Sequence, residues 1–553
     1  MPAQSPSRSG DTTEPQVLRP AHPPATALRT VAELTGARLA QPAGSLDEVQ
    51  VTGIEQRSNA VQPGDLFAGL AGAHAHGARF AADAVARGAV AVLTDPAGVE
   101  LLGGIGVPVL VHEAPRAVLG ELSSALYGDP SRKLRIIGIT GTSGKTTTSY
   151  LVETGLAAGG FRTALIGTIE TRIGGHRVPS ALTTPEAPQL HAMFALMVEQ
   201  GVQAVVMEVS SHALALGRVD GVHFTVGAFT NLSQDHLDFH RDFEDYYAAK
   251  RRLFIPDGPQ SAASARPAVA ADRAVVCVDD EWGRRLAAEI AGTGTAPAQL
   301  VTVATTPGTQ ADWTATSVMA GIAIQEFTAS GAGVNLDVRL RLPGAYNIAN
   351  GLLAVAVCAA AGADAAVAAA ALAEVDVPGR MQRVDAGQEF LAVVDYAHKP
   401  AAIESVVVTL RALLADQGLR GAPEGRLAVV VGAGGDRDAG KRPLMGAAGA
   451  RGADLLIITD DNPRSEDPAA IRAAVRAGAE AVPASERGTV REIGDRAAAI
   501  GAAVDWAQPG DVVLVAGKGH ETGQEIAGVK HPFDDREVLA AALSRKTRDL
   551  THS

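Results

Sequence analysis

Cysteine is almost missing from this chain: two in 553 residues. Cys277 lies in the strand-like "AVVCVDD" and Cys358 in the helix-like "LLAVAVCAAAG". Both read as small core residues, and nothing here supports a disulfide framework. Aromatic residues make up only 4%, so the cores must be built from Ala, Val, Leu and Ile. Positive charge is not in excess: 48 Lys and Arg stand against 61 Asp and Glu, a net charge of −13. That argues against a nucleic-acid-binding surface across the molecule, although a local cationic pocket for an anionic ligand is still allowed. Apolar runs such as "GLLAVAVCAAAG" (351–362) are too short to span a bilayer, so no membrane insertion is expected. Residues 1–25 lack the apolar stretch of a signal peptide and are rich in Pro, Ser and Thr, which predicts a disordered tail. The expected setting is the cytoplasm.

What is present is an ordinary globular composition, 46% hydrophobic and 20% charged, long enough for about three to four domains. Three blocks alternate apolar strand-like runs with helical stretches, at 26–134, 135–376 and 377–553. The first holds "AVAVLTD" and "VPVLVHE"; the second "AVVMEVS" (204–210) and "GAFTNLS" (227–233); the third "FLAVVDYA", "LAVVVGAGG", "ADLLIITDD" and "DVVLVAGKG". Strands apolar throughout predict parallel sheets covered on both faces, an α/β fold. Glycine and polar residues cluster just past their C-terminal ends, where open α/β sheets place ligands. The Ala-, Pro- and Ser-rich segment 255–272 reads as a surface loop.

"GITGTSGKTTT" (138–148) is the strongest local signal, a strand leading into a Gly-rich turn and then a helix. Backbone N–H groups of Gly141, Thr142, Ser143, Gly144 and the helix start through Thr147 can cradle phosphates. Lys145 would reach the β- and γ-phosphates, and the Thr146 hydroxyl would bind Mg²⁺. The first-glycine position of the full motif holds Ile139. The pattern predicts a nucleoside triphosphate without naming a reaction.

Glu208, at the end of "AVVMEVS", suits a second Mg²⁺ ligand. Ser210, Ser211 and His212 follow, but there is no G-x-S-x-G elbow, which disfavours a serine hydrolase. "FTNLSQDHLDFH" (229–240) packs acids and histidines after another strand and reads equally as a polar loop. "YYAAKRRLF" (246–254) reads as a helix with a solvated basic face around Lys250. "TDDNPRSEDP" (459–468) must be a shaped loop, because two prolines within six residues exclude a regular element. It is either an acidic solvated turn or a recognition loop in which Arg464 holds a carboxylate.

The ordered set "GTSGKTT", "TTPE" (183–186), "MEVSSH", "FTNLSQDHLD", "AAKRRLF", "LPGAYNIAN" (342–350), "PGRMQ" (378–382), "DYAHKP" (395–400), "GAGGDRDAGKRPLM" (432–445), "DNPR" (461–464) and "GKGHE" (517–521) resembles the Mur ligase family. The order is that of members adding the third residue of the peptidoglycan stem peptide. "QPGDLF" (62–67) and "HGARF" (76–80) match the family's N-terminal nucleotide-sugar domain. The resemblance implies three α/β domains: a UDP-binding domain, a central P-loop-type parallel sheet and a C-terminal Rossmann-like domain. It implies ATP-dependent amide ligation on UDP-N-acetylmuramoyl-L-alanyl-D-glutamate through an acyl phosphate, by a monomer.

Carried over by motif, Lys145 and Thr146 serve ATP and a first Mg²⁺, with Glu208 as carboxylate ligand. His236 matches a second-metal histidine, and Lys250 the lysine the family carries as a carbamate, an oxygen donor suited to Mg²⁺. Asn231 and Asn347 match adenine-side contacts. Arg380 and Asp395 would close onto the nucleotide, with His398 in the same loop. Thr183, Thr184, Ser210 and Arg218 match contacts to the muramoyl-dipeptide, and Ser58 a uridine contact. In the family D-N-P-R marks members using meso-diaminopimelate, which implies that Arg464 holds the distal carboxylate within Asp461, Asn462 and Pro463. Arg437 would take the near carboxylate, and Gly517 and Glu521 the distal amino-acid centre.

There are two departures. "EQRSNAV" puts Arg57 and Asn59 where the family often has an acid and an arginine around Ser58, and Leu216 stands where a polar contact is common. The nearest alternatives are a lysine-adding Mur ligase, a folylpolyglutamate synthase-like ligase (disfavoured by the "QPGDLF" domain) and a silent ligase-like scaffold. The last would lack the phosphate-loop lysine and metal ligands, which are present.

Overall fold

A computed structural model describes residues 17–41, 45–72, 74–179, 182–256, 269–292, 299–320, 324–419 and 425–552. The chain forms two compact units: Met1–Lys145 with Leu156–Val303 and Ala356–Asp364, and Thr146–Gly155 with Ala304–Val355 and Ala365–Ser553.

Beside the short antiparallel pair Thr26–Ala27 and Gln50–Val51, the described residues of the first unit form two larger sheets. In one, strands run in the order Arg38–Gln41, Val109–Val111, Ala91–Thr94, Asp65–Gly69, Gly53–Glu55, parallel except for the first. In the other, Thr163–Ile166, Ala204–Glu208, Arg135–Thr140, Val226–Phe229, Arg273–Cys277 and Gln299–Ala304 are parallel neighbours in that order. Antiparallel strands Glu170–Ile173 and His176–Pro179 extend it beyond Thr163–Ile166. Met207 pairs with Gly138 and Phe229 with Thr140. This register brings the ends of three strands, and the loops after them, to one edge.

The second unit holds the antiparallel strands Trp313–Ala320, Gln325–Gly331 and Val334–Leu340 and a further α/β sheet. The latter runs Gln382–Arg383, Leu391–Asp395, Val512–Ala516, Leu427–Val431, Leu455–Ile458, Thr489–Glu492, parallel except for the first. Alternate residues of each strand enter different cores. Val393, Val429, Leu456 and Leu514 pack on one face, and Val394, Val430, Ile457 and Val515 on the other. Two buried faces explain why these strands are apolar without alternation. Each such side chain contributes about 1.5–3 kcal/mol of burial.

Two expectations need correcting. The tail expected over 1–25 has placed residues from Val17 onward: Arg19 pairs with Asp65, and the N–H groups of Ala21 and His22 donate to the Glu199 carboxylate at 2.8 and 2.9 Å. Buried carboxylates at Asp65 and Glu55 need a cation, and Arg19 supplies one. Residues 1–16 lie outside the described residues. So do 257–268 of the expected loop 255–272, whose flanking Ile255, Val269 and Ala271 are buried core residues. Cys277 and Cys358 are buried and unbridged, on a strand and a helix as expected. Among the described residues no helix is long and apolar enough to cross a membrane.

Candidate active site

The phosphate loop joins strand Arg135–Thr140 to helix Lys145–Ala158. Gly141 has φ 145°, and a Cβ there would strike the Thr230 hydroxyl, so only glycine fits. The loop is held by its neighbour strand's continuation. Thr142 N–H donates to Asn231 O at 2.9 Å. The Asn231 carboxamide accepts from Ser143 N–H at 2.9 Å and donates to Ser143 O at 3.1 Å. The Asn231 carboxamide braces the loop, because a carboxamide can satisfy one residue's donor and acceptor together.

Two lysines converge on one oxygen. Lys145 Nζ donates to Gly141 O and Thr142 O, both at 3.0 Å. Lys250 Nζ, in the buried face of helix Phe243–Arg251, donates to Gly141 O at 2.8 Å and lies 4.5 Å from the centre of the Tyr246 ring. Lys250 is 1% exposed. The "solvated basic face" is thus wrong for Lys250, whose helix turns it inward, and Tyr246 and Tyr247 are buried with it. The Tyr246 hydroxyl meets Thr142 Oγ1 at 3.0 Å, and burial pushes its pKa up, so it stays a neutral partner.

Glu208 ends strand Ala204–Glu208 and is buried. Its carboxylate accepts from Thr168 N–H at 2.8 Å and from the Thr168 hydroxyl at 3.1 Å. Thr168 Oγ1 in turn lies 3.0 Å from Thr183 Oγ1. Thr184 Oγ1 donates to Glu208 O at 2.9 Å and accepts from Ser210 N–H at 3.1 Å, while Arg218 Nη1 donates to Thr184 O at 3.3 Å. The structure therefore gathers Thr183, Thr184, Ser210 and Arg218 around the Glu208 strand end. Thr168 is the member that the sequence reading missed, since a threonine after "IG" carries no motif.

His236 has φ 53° and sits 3.3 Å from its neighbour's carboxylate, Asp235 Oδ2. Its ring packs edge-on to His212 at 4.8 Å, and His212 stacks on Phe239 at 4.1 Å. Among the described residues no group of three His, Cys, Asp or Glu side chains forms a metal cage. Glu208 offers a hard carboxylate of the kind that suits Mg²⁺, which keeps waters and binds through one or two carboxylates.

Ser58, with Arg57 and Phe80, lines a cavity of about 340 Å³ in the first unit. Arg57, at the departure from the family pattern, is tied down: its Nη2 donates to Glu55 Oε2 at 2.8 Å.

In the second unit, Asn347 is buried; it donates to Pro343 O at 2.6 Å and accepts from Asn350, which Thr148 reaches at 3.3 Å. Its carboxamide joins a helix start rather than facing outward. Asp395 accepts from Met381 N–H at 2.7 Å and Ala397 N–H at 2.8 Å. Burial raises its pKa, opposed by Arg380 and these N–H groups. The Arg380 guanidinium lies 4.6 Å above Tyr396, whose ring is 4.9 Å from His520. Gly379, at φ 64°, packs directly on Gly519 and His520. This joins "PGRMQ", "DYAHKP" and "GKGHE" into one surface. His398 Nδ1 pairs with Tyr396 O at 2.8 Å.

Residues 459–467 form the expected irregular loop, and Pro468 opens the next helix behind an Asp467 cap. Asn462 donates to Glu521 at 3.0 Å. Lys518, 0% exposed, donates to Asn462 Oδ1 at 2.8 Å and Gly523 O at 2.9 Å and pairs with Asp461 at 3.2 Å. A Cβ on Gly517 would meet Asp461 Oδ2 at 2.8 Å, and one on Gly434 would lie 3.1 Å from Arg464 Nη1 and 4.0 Å from Arg437 Cγ. Arg437, Asp461, Asn462, Arg464, Gly517 and Glu521, from three separate loops, thus meet at the C-terminal ends of parallel strands. Lys518 was missed; its signal was a lysine between two glycines after an apolar strand.

The chain belongs to the Mur ligase family. It matches the Mur ligase middle domain over residues 139–358, the glutamate ligase domain over 379–519 and the family's catalytic domain over 50–127. It is 52% identical over 520 residues to the UDP-N-acetylmuramoyl-L-alanyl-D-glutamate–2,6-diaminopimelate ligase of Corynebacterium glutamicum, covering 93% of this chain and 96% of that one. The enzyme of the same name from Streptomyces coelicolor is also 52% identical, over 96% of this chain and 99% of its own. A solved structure of a ligase with this name superposes with TM-score 0.64 at 31% identity, covering 96% of this chain and all of that one. The MurF ligase of Thermotoga maritima, solved with ADP, shares the fold at TM-score 0.58 and 17% identity, over 90% of this chain and 98% of that one.

Proposed function

We propose that this chain is the ATP-dependent ligase that joins meso-diaminopimelate to the D-glutamyl γ-carboxylate of UDP-N-acetylmuramoyl-L-alanyl-D-glutamate, a step in making peptidoglycan precursors. The observation that carries the choice of amine is the convergence of Arg437 and Arg464 beside Gly434, next to Asp461, Asn462 and Glu521. A zwitterionic centre needs both signs of charge close together, and a second carboxylate needs a further guanidinium.

The ATP γ-phosphorus–oxygen bond breaks as the substrate carboxylate takes the phosphoryl group, releasing ADP and leaving an acyl phosphate. The free amine then attacks the acyl carbon, the tetrahedral intermediate expels phosphate, and the nitrogen loses a proton. Two anions must approach for the first step, so cations have to surround the transfer. Lys145 and the N–H groups of residues 141–147 receive the phosphates, exchanging the Gly141 and Thr142 carbonyls for phosphate oxygens. Thr183, Thr184, Ser210 and Arg218 hold the muramoyl-dipeptide beside Glu208, and Ser58 serves the uridine. Arg380 and Asp395 bind the nucleotide. Asn231 and Asn347 serve the adenine side of the nucleotide.

Thr146 and Glu208 would hold Mg²⁺, with His236 and Lys250 at a second ion; bound there, the metal would neutralise charge on the phosphates. Lys250 is carried as a carbamate in the working enzyme. The physical support is the convergence of two ammonium groups on Gly141 O. A carbamate keeps an N–H for that carbonyl and replaces like-charge repulsion with attraction to Lys145. The protein acts as a cytoplasmic monomer.

The test is ADP release. It should require both the UDP-muramoyl-dipeptide and diaminopimelate; release that proceeds without either one contradicts the assignment.

A further inference from the structure

One carboxylate at the diamino acid loops has no part in the scheme above. Glu525 lies on a hairpin of strands Gly523–Ile526 and Val529–Pro532, and its Oε2 is 3.2 Å from Arg464 Nε. The hairpin is stitched to the "DNPR" loop. Arg464 N–H donates to Glu525 O at 3.0 Å, and Ala527 N–H to Arg464 O at 2.7 Å. Glu525 N–H donates to Asn462 Oδ1 at 3.0 Å, and Gln524 Nε2 to Asp461 O at 2.7 Å. Arg464 itself has φ 53°, a left-handed conformation that a side-chain-bearing residue keeps only when its surroundings hold it. Its Nη1 donates to Gly435 O at 2.6 Å. Both ends of the Arg464–Glu525 pair are therefore placed by backbone bonds.

We propose that Glu525 is a specificity-determining residue whose carboxylate holds the Arg464 guanidinium until the distal carboxylate of the diamino acid displaces it. This rests on the reading of Arg464 given above. The side chains are 24% and 43% exposed, so water competes with the pair and it can exchange rather than lock. Diaminopimelate must break the pair to enter, which raises its KM. An amine with an ammonium at its far end meets Glu525 as well as Arg464, so the carboxylate softens the repulsion that would otherwise reject lysine. Glu525 thus trades selectivity and affinity for a guanidinium that is never left unpaired.

The experiment compares wild type with Glu525→Gln, varying meso-diaminopimelate and L-lysine separately at saturating ATP and UDP-substrate. The expected result is a KM for diaminopimelate lowered about two- to fivefold, the change lying in KM rather than kcat, and a higher ratio of kcat/KM for diaminopimelate over lysine. Glu525→Ala should move both values the same way, and a thermal melt identifies which variant is folded. An unchanged or raised KM for diaminopimelate in a folded variant overturns the proposal. Arg464→Ala separates the two readings. If it keeps full preference for diaminopimelate, the role of Arg464 itself fails. If it loses the preference while Glu525→Gln leaves KM unchanged, only the role of Glu525 fails. With both readings correct, Glu525→Gln added to Arg464→Ala produces no further drop in KM.

Discussion

Lys250 and Lys145 share one acceptor: the Gly141 carbonyl takes a hydrogen bond from each ammonium, at 2.8 and 3.0 Å. The strand end, the phosphate loop and the helix Phe243–Arg251 meet at this oxygen. Lys145 also donates to Thr142 O in the same loop, at 3.0 Å. Lys145→Ala should lower kcat/KM by about 10²–10³-fold, as removal of a charge-stabilising donor does, with little change in thermal midpoint. Near-wild-type ADP release from the variant would refute the role.

Lys250→Ala should also lose most activity, and small carboxylates in the buffer should restore part of it by supplying the missing oxygen donor. Wild-type enzyme stripped of carbon dioxide should lose activity and regain it on adding bicarbonate. If bicarbonate has no effect on stripped enzyme, Lys250 acts as an ammonium.

Behind the loops that carry Asp461 and Gly517, Arg496 and Asp535 form a bidentate pair, both bonds at 2.7 Å and both side chains 0% exposed. Arg496 also donates to Ala516 O at 3.0 Å, one residue before Gly517. Asp535→Ala leaves a buried guanidinium without its charge partner and should cost about 3–5 kcal/mol in denaturant unfolding. The exposed pair Arg29–Asp47, with side chains 54% and 58% exposed, is the control; breaking it should leave the denaturant midpoint close to that of the wild type.

His191 supplies a pH signature. It is fully buried, and burial pushes its pKa down to about 4, against the raising effect of its bond with Asp220 O at 3.1 Å. The unfolded chain binds a proton near the ordinary value of about 6.5. Between these values the unfolded state binds more protons, so stability should fall as pH drops from about 6.5 to 4, by up to ~1.4 kcal/mol per unit from this residue. A folded His191→Gln variant should show a shallower slope in urea midpoints across that window. An unchanged slope would mean that other groups carry it.

Much of this protein was legible from local pattern. Strands apolar on both faces had to be parallel and covered, and each of the runs named for the third block is a strand. The phosphate loop was legible because glycine spacing, a strand and a helix start are contiguous in the chain. Residues 459–467 of "TDDNPRSEDP" are irregular as expected, but Pro468 opens the next helix, a first position where the missing N–H is no loss.

What sequence could not decide was which way side chains turn and what they meet. Lys250 sits between alanine and two arginines, and only the packing of its helix turns it inward to Gly141. The Asn231 carboxamide meets Ser143, far away in the chain, and that of Asn347 meets Pro343, just before its helix, and Asn350 within it. Arg19 lies in a stretch whose composition predicts disorder, and it becomes ordered because two buried carboxylates need a cation. Composition and spacing determine which elements form and which chemistry is affordable. Contacts between residues distant in sequence depend on desolvation and pairing in three dimensions, and those decide which charged groups are held, which face a ligand, and which, like Glu525, stand in a ligand's place.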